Sequence, residues 1–166
     1  MSERENLVQR IVDDMSNDYL SIEIPHQYVT CLDHVGIAVP DLDAAIEWYR
    51  VNMGWVNHHQ ETNEEQGVVE AMIGPKDLTD RGGMIQLLAP LNEDSTIAKF
   101  IDKKGPGLQQ MCLRTRDMDA LCEHLRAQGT RLLYDTPKIG TGGARINFVH
   151  PKDAGGVLLE ITEPAH

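Results

Sequence analysis

One unit is written twice in this sequence, and that repetition constrains the fold more than any other feature. Leu32-Asp-His-Val-Gly-Ile-Ala-Val39 is echoed by Leu108-Gln-Gln-Met-Cys-Leu-Arg-Thr115. The same offset carries Asp41 onto Asp117, Asp43 onto Asp119 and Ala44 onto Ala120. A second echo, at nearly the same spacing, joins Ile85-Gln-Leu-Leu-Ala-Pro90 to Leu159-Glu-Ile-Thr-Glu-Pro164. Repetition on this scale marks a supersecondary unit that buries its apolar face only against a second copy.

Each copy reads alike. Residues 32–39 alternate as a strand with one strongly apolar face, and Pro40 stops it. Asp41 is a helix N-cap, Leu42, Ala45, Ile46, Tyr49 and Met53 form the buried stripe, and Gly54 ends the helix. Strand-like runs follow at 55–61, 68–73 and 84–89, with a turn at 63–67 and a longer loop at 76–83. In the second copy residues 108–115 are the strand. Asp117 caps a helix carrying Met118, Leu121, Cys122 and Leu125, which Gly129 ends. Strands are expected at 131–134, 145–149 and 157–162, and the glycine-rich loop 137–143 can bring backbone close to a ligand.

The expected fold is α+β: two paired β-α-β-β-β modules forming a curled mixed sheet around a cleft. The first module covers 31–90 and the second 106–166. A connector at 91–105 carries a short helix capped by Asp94 or Ser95. Residues 1–30 have no counterpart in the repeat. Leu7, Ile11 and Met15 would line a helix face, and residues 19–24 alternate like a strand. This segment reads as an extension against the domain or a second subunit, with a disordered tail as the alternative.

The repeat also places polar residues. The first strand of each copy supplies His34 and Gln110, and the last strand supplies Gln86 and Glu160. Matching positions of two modules face one another across a cleft. His34 and Glu160 suit a divalent first-row metal, and two glutamine oxygens complete a set with positions open to water or substrate. The plainer reading is a hydrogen-bonded core histidine, beside a glutamate that needs a partner to be buried at all.

Composition excludes several classes. A net charge of −11 disfavours polyanions, so nucleic acid is not an expected partner. Three cysteines without close spacing argue against a disulfide framework or a zinc-thiolate site and for a reducing compartment. No run approaches the ~20 apolar residues of a membrane span. The N-terminus carries no signal-like core. A cytoplasmic location without membrane contact is the expectation.

The residues further resemble a known family, the methylmalonyl-CoA epimerases of the vicinal-oxygen-chelate (glyoxalase) superfamily. The stretches that carry the resemblance are 32–39, Asn63-Glu-Glu-Gln-Gly-Val-Val-Glu70, Ile85-Gln-Leu-Leu-Ala-Pro-Leu91, 94–99, Leu132-Leu-Tyr-Asp135, 138–152 and Gly156-Val-Leu-Leu-Glu160. Together they span about residues 31–164. Glyoxalase I is similar but has Glu where this chain has Gln86. The resemblance implies a divalent metal ion (Co²⁺, Mn²⁺ or Zn²⁺, with Mg²⁺ admitted) held by His34, Gln86 and Glu160. Gln110 stands where the family's second ligand histidine belongs, a departure that shifts the site toward harder ions.

It also implies an acyl-CoA substrate and epimerisation of methylmalonyl-CoA, or a close 2-substituted malonyl-CoA, through a metal-stabilised enolate. Glu70 is then the first base, and Glu160 the second as well as a ligand. A homodimer is the family expectation. Two alternatives follow from Gln110: another isomerase or lyase of an acyl-CoA, or a metal-free acyl-CoA or small-ligand binding protein. His58 and His59 are read as surface residues on opposite strand faces, His124 as solvated and His150 as structural. Lys138, Arg145 and Lys152 are candidates to meet coenzyme A phosphates or else to stay solvated, and Cys112 is a small core residue.

Overall fold

Side-chain caps start all three helices of the described residues. In a computed structural model, residues 28–78 and 83–165 are described; the readings made for residues 1–27 lie outside them. Asp41 accepts from the amide of Ala44 to open helix α1, Leu42–Met53. Ser95, not Asp94, opens α2, Thr96–Lys104, through the amide of Ala98. Asp117 opens α3, Met118–Ala127, through Ala120. Such a cap contributes about 1 kcal/mol by satisfying an otherwise orphaned N–H. Gly54, with φ 67°, closes α1 in the left-handed conformation glycine adopts without strain.

The strands are β1 (Val29–Ala38), β2 (Val56–Asn63), β3 (Val68–Gly74), β4 (Met84–Pro90), β5 (Gly107–Thr115), β6 (Lys138–Ile139), β7 (Arg145–Val149) and β8 (Leu159–Glu163). They form one mixed eight-stranded sheet in the order β2-β3-β4-β1-β5-β8-β7-β6. Each half runs outward from a central seam in the same sequence of strands. The seam is the antiparallel β1–β5 pair, and β4 and β8 join it in parallel on either side.

Alternation divides the side chains between two faces. On the outer face α1 covers Ala71, Ile73, Leu87 and Ala89, and α3 covers Ile161 with Met118, Leu121 and Cys122. On the inner face α2 sets Ile97 against Ala38, Val68 and Leu88 and plugs one end of the cleft. Truncating a fully buried residue such as Leu87 to Ala costs about 2–5 kcal/mol.

The structure corrects three expectations. Strand β1 begins at Val29, inside the segment read as an extension. Met53 is 55% exposed rather than buried, because the helix turns its last residues away from the sheet. No strand forms at 131–134. Only an isolated bridge joins Leu132 to Val149, since the buried Asn147 side chain takes over the ladder, accepting from the Tyr134 amide and donating to the Tyr134 carbonyl. The edge strand is β6 instead.

Candidate active site

The inner face carries its polar residues in two rows across the seam. In the first, His34 on β1 lies opposite Cys112 on β5, and Cys112 lies opposite Glu160 on β8. In the second, one step along, Gly36 on β1 lies between Gln86 on β4 and Gln110 on β5. The repeat offset that maps His34 onto Gln110 maps Gly36 onto Cys112. The rows are therefore equivalent positions of the two halves, each drawn from both halves. Gly36 is required by its row: a Cβ there would sit 2.6 Å from Gln110 Cγ. Lacking one, it lets Gln110 lie across β1 toward Gln86 on β4.

All four residues expected from sequence, His34, Gln86, Gln110 and Glu160, are buried and come together. Gln110 Nε2 donates to Gln86 Oε1 at 3.2 Å and, by a short bond, to Glu160 Oε2. His34 Nδ1 bonds Asp33 Oδ1 at 2.9 Å. Its other nitrogen, Nε2, is buried, has no hydrogen-bond partner and lies 3.6 Å from Glu160 Oε2. Asp33 is braced in turn by Arg114. Burial disfavours a charged imidazole, yet Asp33, Cys112 and Glu160 overcome it and push His34 up to about 12. Burial also opposes the charge on Asp33, but His34 and Arg114 hold its carboxyl below the usual range.

An orphaned ring nitrogen, a carboxylate beside it and a carboxylate-braced second ring nitrogen are groups of the kind a metal centre uses. The residues present fit a divalent ion.

Glu70, the expected base, sits on β3 at 2% exposure. Its Oε1 accepts from Thr141 Oγ1 at 2.6 Å and its Oε2 from Gln86 Nε2 at 2.9 Å. Burial, with help from Glu61 and Glu160, raises its proton affinity above the usual carboxylate range, while Thr141 works the other way. Glu70, Gln86, Gln110 and Glu160 line one cavity of about 470 Å³, which runs past Tyr134 and Lys138. The glycine-rich loop does approach the site. Thr141 reaches Glu70 and Gln86, the amide of Gly142 donates to Glu61 at 3.2 Å, and Lys138 pairs with Glu65 at 2.7 Å. The loop thus ties the second half to the hairpin of the first across the cleft.

The lesser candidates separate. Lys138 lines the cavity and rests over the Tyr134 ring. Arg145 is occupied by Asp119 and Glu163, and Lys152 is exposed. His150 caps a short turn through the Lys152 amide, and His124 is half-buried at the end of α3. His58 and His59 are exposed, but not on opposite faces. A register shift in β2 between Asn57 and His59 brings both to a second cavity of about 250 Å³. Two residues went unassigned in the sequence, and a third, Cys112, was read only as a small core residue. Asp33 was legible only as the neighbour of His34, and Thr141 only as the sole hydroxyl of its loop. Cys112 is fully buried, as expected of a small core residue, and it lies in the first row between His34 and Glu160. Burial and the nearby Glu160 push its thiol up to about 12, against the pull of His34.

A curled sheet of two equivalent halves around such a cleft defines a class. Residues 33–148 match the model of the Glyoxalase/Bleomycin resistance protein/Dioxygenase superfamily, and the chain belongs to it. Relatives narrow this further. The ethylmalonyl-CoA/methylmalonyl-CoA epimerase of Cereibacter sphaeroides is 37% identical over 134 residues, covering 80% of this chain and 96% of that protein. The crystal structure of methylmalonyl-CoA epimerase from Mycobacterium tuberculosis is 55% identical, with a TM-score of 0.79 over 84% of this chain and 91% of that one. A methylmalonyl-CoA epimerase in complex with methylmalonyl-CoA and NH4+ is 46% identical, with a TM-score of 0.77 over 82% and 96% of the two chains. The chain belongs to the methylmalonyl-CoA epimerase family.

Proposed function

We propose that this chain epimerises methylmalonyl-CoA, or a close 2-substituted malonyl-CoA, with Glu70 and Glu160 as its two proton carriers. The observation that carries the reading is the pair itself: two buried carboxylates opening into one cavity, one of them with a raised proton affinity. The carbon between a thioester and a carboxylate is weakly acidic. Inverting it needs proton removal from one face and return to the other. Glu70 takes the proton at one face, and its raised affinity brings it closer to the working pH. Thr141 and Gln86 hold that carboxylate by both oxygens, so its aim is fixed before substrate arrives. Glu160 serves the other face; its Oε2 meets His34 and Gln110, leaving Oε1 to hold the returning proton.

His34, Gln86 and Glu160 would hold a divalent ion, with Gln110 at the remaining corner. When bound it supplies Lewis-acid stabilisation for the negative charge that develops on the thioester oxygen. Lys138, at the cavity wall, would exchange its pairing with Glu65 for an anionic group of an acyl-CoA.

The test is deuterium exchange. The protein is incubated with methylmalonyl-CoA in D₂O, with and without Co²⁺ or Mn²⁺, and the thioester mass is followed. Metal-dependent uptake that vanishes in Glu70→Ala is expected. Uptake no faster than buffer overturns the assignment for this substrate and favours another acyl-CoA reaction or a binding role.

A further inference from the structure

We infer that Cys112 is a metal ligand, its thiolate completing with His34 and Glu160 a first-row site in which a cysteine replaces the histidine this chain lacks. The inference rests on the metal reading above and changes the donor set that reading would use.

Four observations carry it. First, ligand atoms of His34, Cys112 and Glu160 all lie within 4.8 Å of one another, and all three residues are buried. Second, they are direct cross-strand neighbours on three adjacent strands, so the backbone ladder itself fixes their spacing. Third, His34 Nε2 is the orphan of the group. The ring is 6% exposed, Nδ1 is engaged by Asp33, and Nε2 is left free. Its 3.6 Å separation from Glu160 Oε2 is close to the roughly 3.3 Å edge of a tetrahedron with ~2.0–2.1 Å metal–nitrogen and metal–oxygen bonds. Fourth, Gln110 is turned the wrong way for a ligand. Its amide nitrogen, which has no lone pair to give, faces Gln86 and Glu160.

The pseudo-symmetry sharpens the point. In the second row the central position is Gly36, which only makes room. In the first row the equivalent position holds a sulfur with no exposure to solvent. A thiol is a weak hydrogen-bond group and needs no such neighbours; a thiolate is a strong donor to Zn²⁺ or Co²⁺. Ligation releases one proton from sulfur to solvent and gives the ion one more negative donor. The preference then moves toward softer ions, opposite to the direction that Gln110 alone sets. A site of this kind needs only one cysteine, because His34 and Glu160 supply the other donors.

Cobalt substitution tests this without reference to turnover. The metal-free protein is titrated with Co²⁺ and its absorption spectrum recorded, with affinity measured in parallel by chelator competition. Cobalt bound by sulfur shows an intense near-ultraviolet thiolate-to-cobalt charge-transfer band, and oxygen and nitrogen donors alone do not. The expected result is that band in the wild-type protein. It is absent in Cys112→Ser and retained in a Cys31→Ser/Cys122→Ala variant. Affinity in Cys112→Ser falls by at least the roughly 10–100-fold that losing an outer-shell partner already costs. Cobalt that binds and shows only weak visible bands overturns the cysteine assignment and leaves the metal reading intact. Cobalt that binds neither the wild-type chain nor a Gln110→His variant overturns both. The wild-type spectrum decides the question even if Cys112→Ser folds poorly.

Discussion

Replacing Gly36 by Ala places a methyl group 2.6 Å from Gln110 Cγ, and 3.2 Å from both Gln110 Cδ and Leu88 Cδ1. Carbon–carbon contacts settle near 3.5–4.0 Å. The Gln110 side chain must therefore withdraw by about 1 Å, and its amide is what donates to Gln86 and Glu160. Overpacking of this kind costs about 1–3 kcal/mol. At about 2–4 °C per kcal/mol for a chain of this size, the melting temperature should fall by roughly 2–12 °C. The backbone at Gly36 is ordinary extended strand, so the loss is steric and not conformational. Removing the obstruction should restore it. Gln110→Ala in the same chain should recover much of the loss, giving a coupling energy of about 1 kcal/mol or more in a double-mutant cycle. Thermal melts of the four metal-free proteins are the assay. A Gly36→Ala protein that melts with the wild type, or a double mutant whose losses simply add, would refute the steric account of the second row.

Four further outcomes are expected. Glu70→Gln should slow α-proton exchange by about 10²–10⁴-fold, the usual worth of a general base, while leaving acyl-CoA affinity near wild type; a lesser loss in a stopped exchange assay argues for another base. The same variant should gain stability at neutral pH. Because the folded chain keeps the Glu70 proton to higher pH than the unfolded chain does, native stability falls as pH rises past the ordinary carboxylate range, and urea melts of Glu70→Gln should lack that decline. Thr141→Val removes a donor that favours the Glu70 carboxylate, so the acidic limb of the exchange-rate profile should move to higher pH; an unmoved limb would separate Thr141 from the base. Asp33→Asn should weaken metal affinity about 10–100-fold by loosening the His34 ring, measured by chelator competition.

Most of the architecture was written in local signals. Asp41, Asp117 and Ser95 announce their helices because a side-chain cap is a short-range interaction that needs no tertiary context. His34, Gln86, Gln110 and Glu160 were found because the repeat made their equivalence visible before their contacts were. What stayed hidden depended on contacts made elsewhere. The 131–134 run alternates as a strand should, but Asn147, distant in sequence, substitutes a side chain for the ladder. His58 and His59 were assigned to opposite faces by a periodicity that one register shift cancels. Cys112 was treated alone because cysteines are ordinarily read in pairs. Its meaning lies in its neighbours on the adjacent strands, which the same offset that exposed the quartet also fixes.

The crossed composition of the two rows has a consequence for how such a site arises. Neither half of the chain owns a row: His34 belongs to one, Cys112 and Glu160 to the other, and the second row reverses the shares. Two separate copies of a single module, joined along the same seam, would build two identical rows, each carrying whatever the one sequence dictated. A histidine placed for one row would be forced into the other, and a glycine making room in one would remove the sulfur from its counterpart. Joining the copies in one polypeptide frees each position from its twin. One row can then carry a histidine, a cysteine and a glutamate while the other carries a glycine and two glutamines, an asymmetry closed to two identical copies.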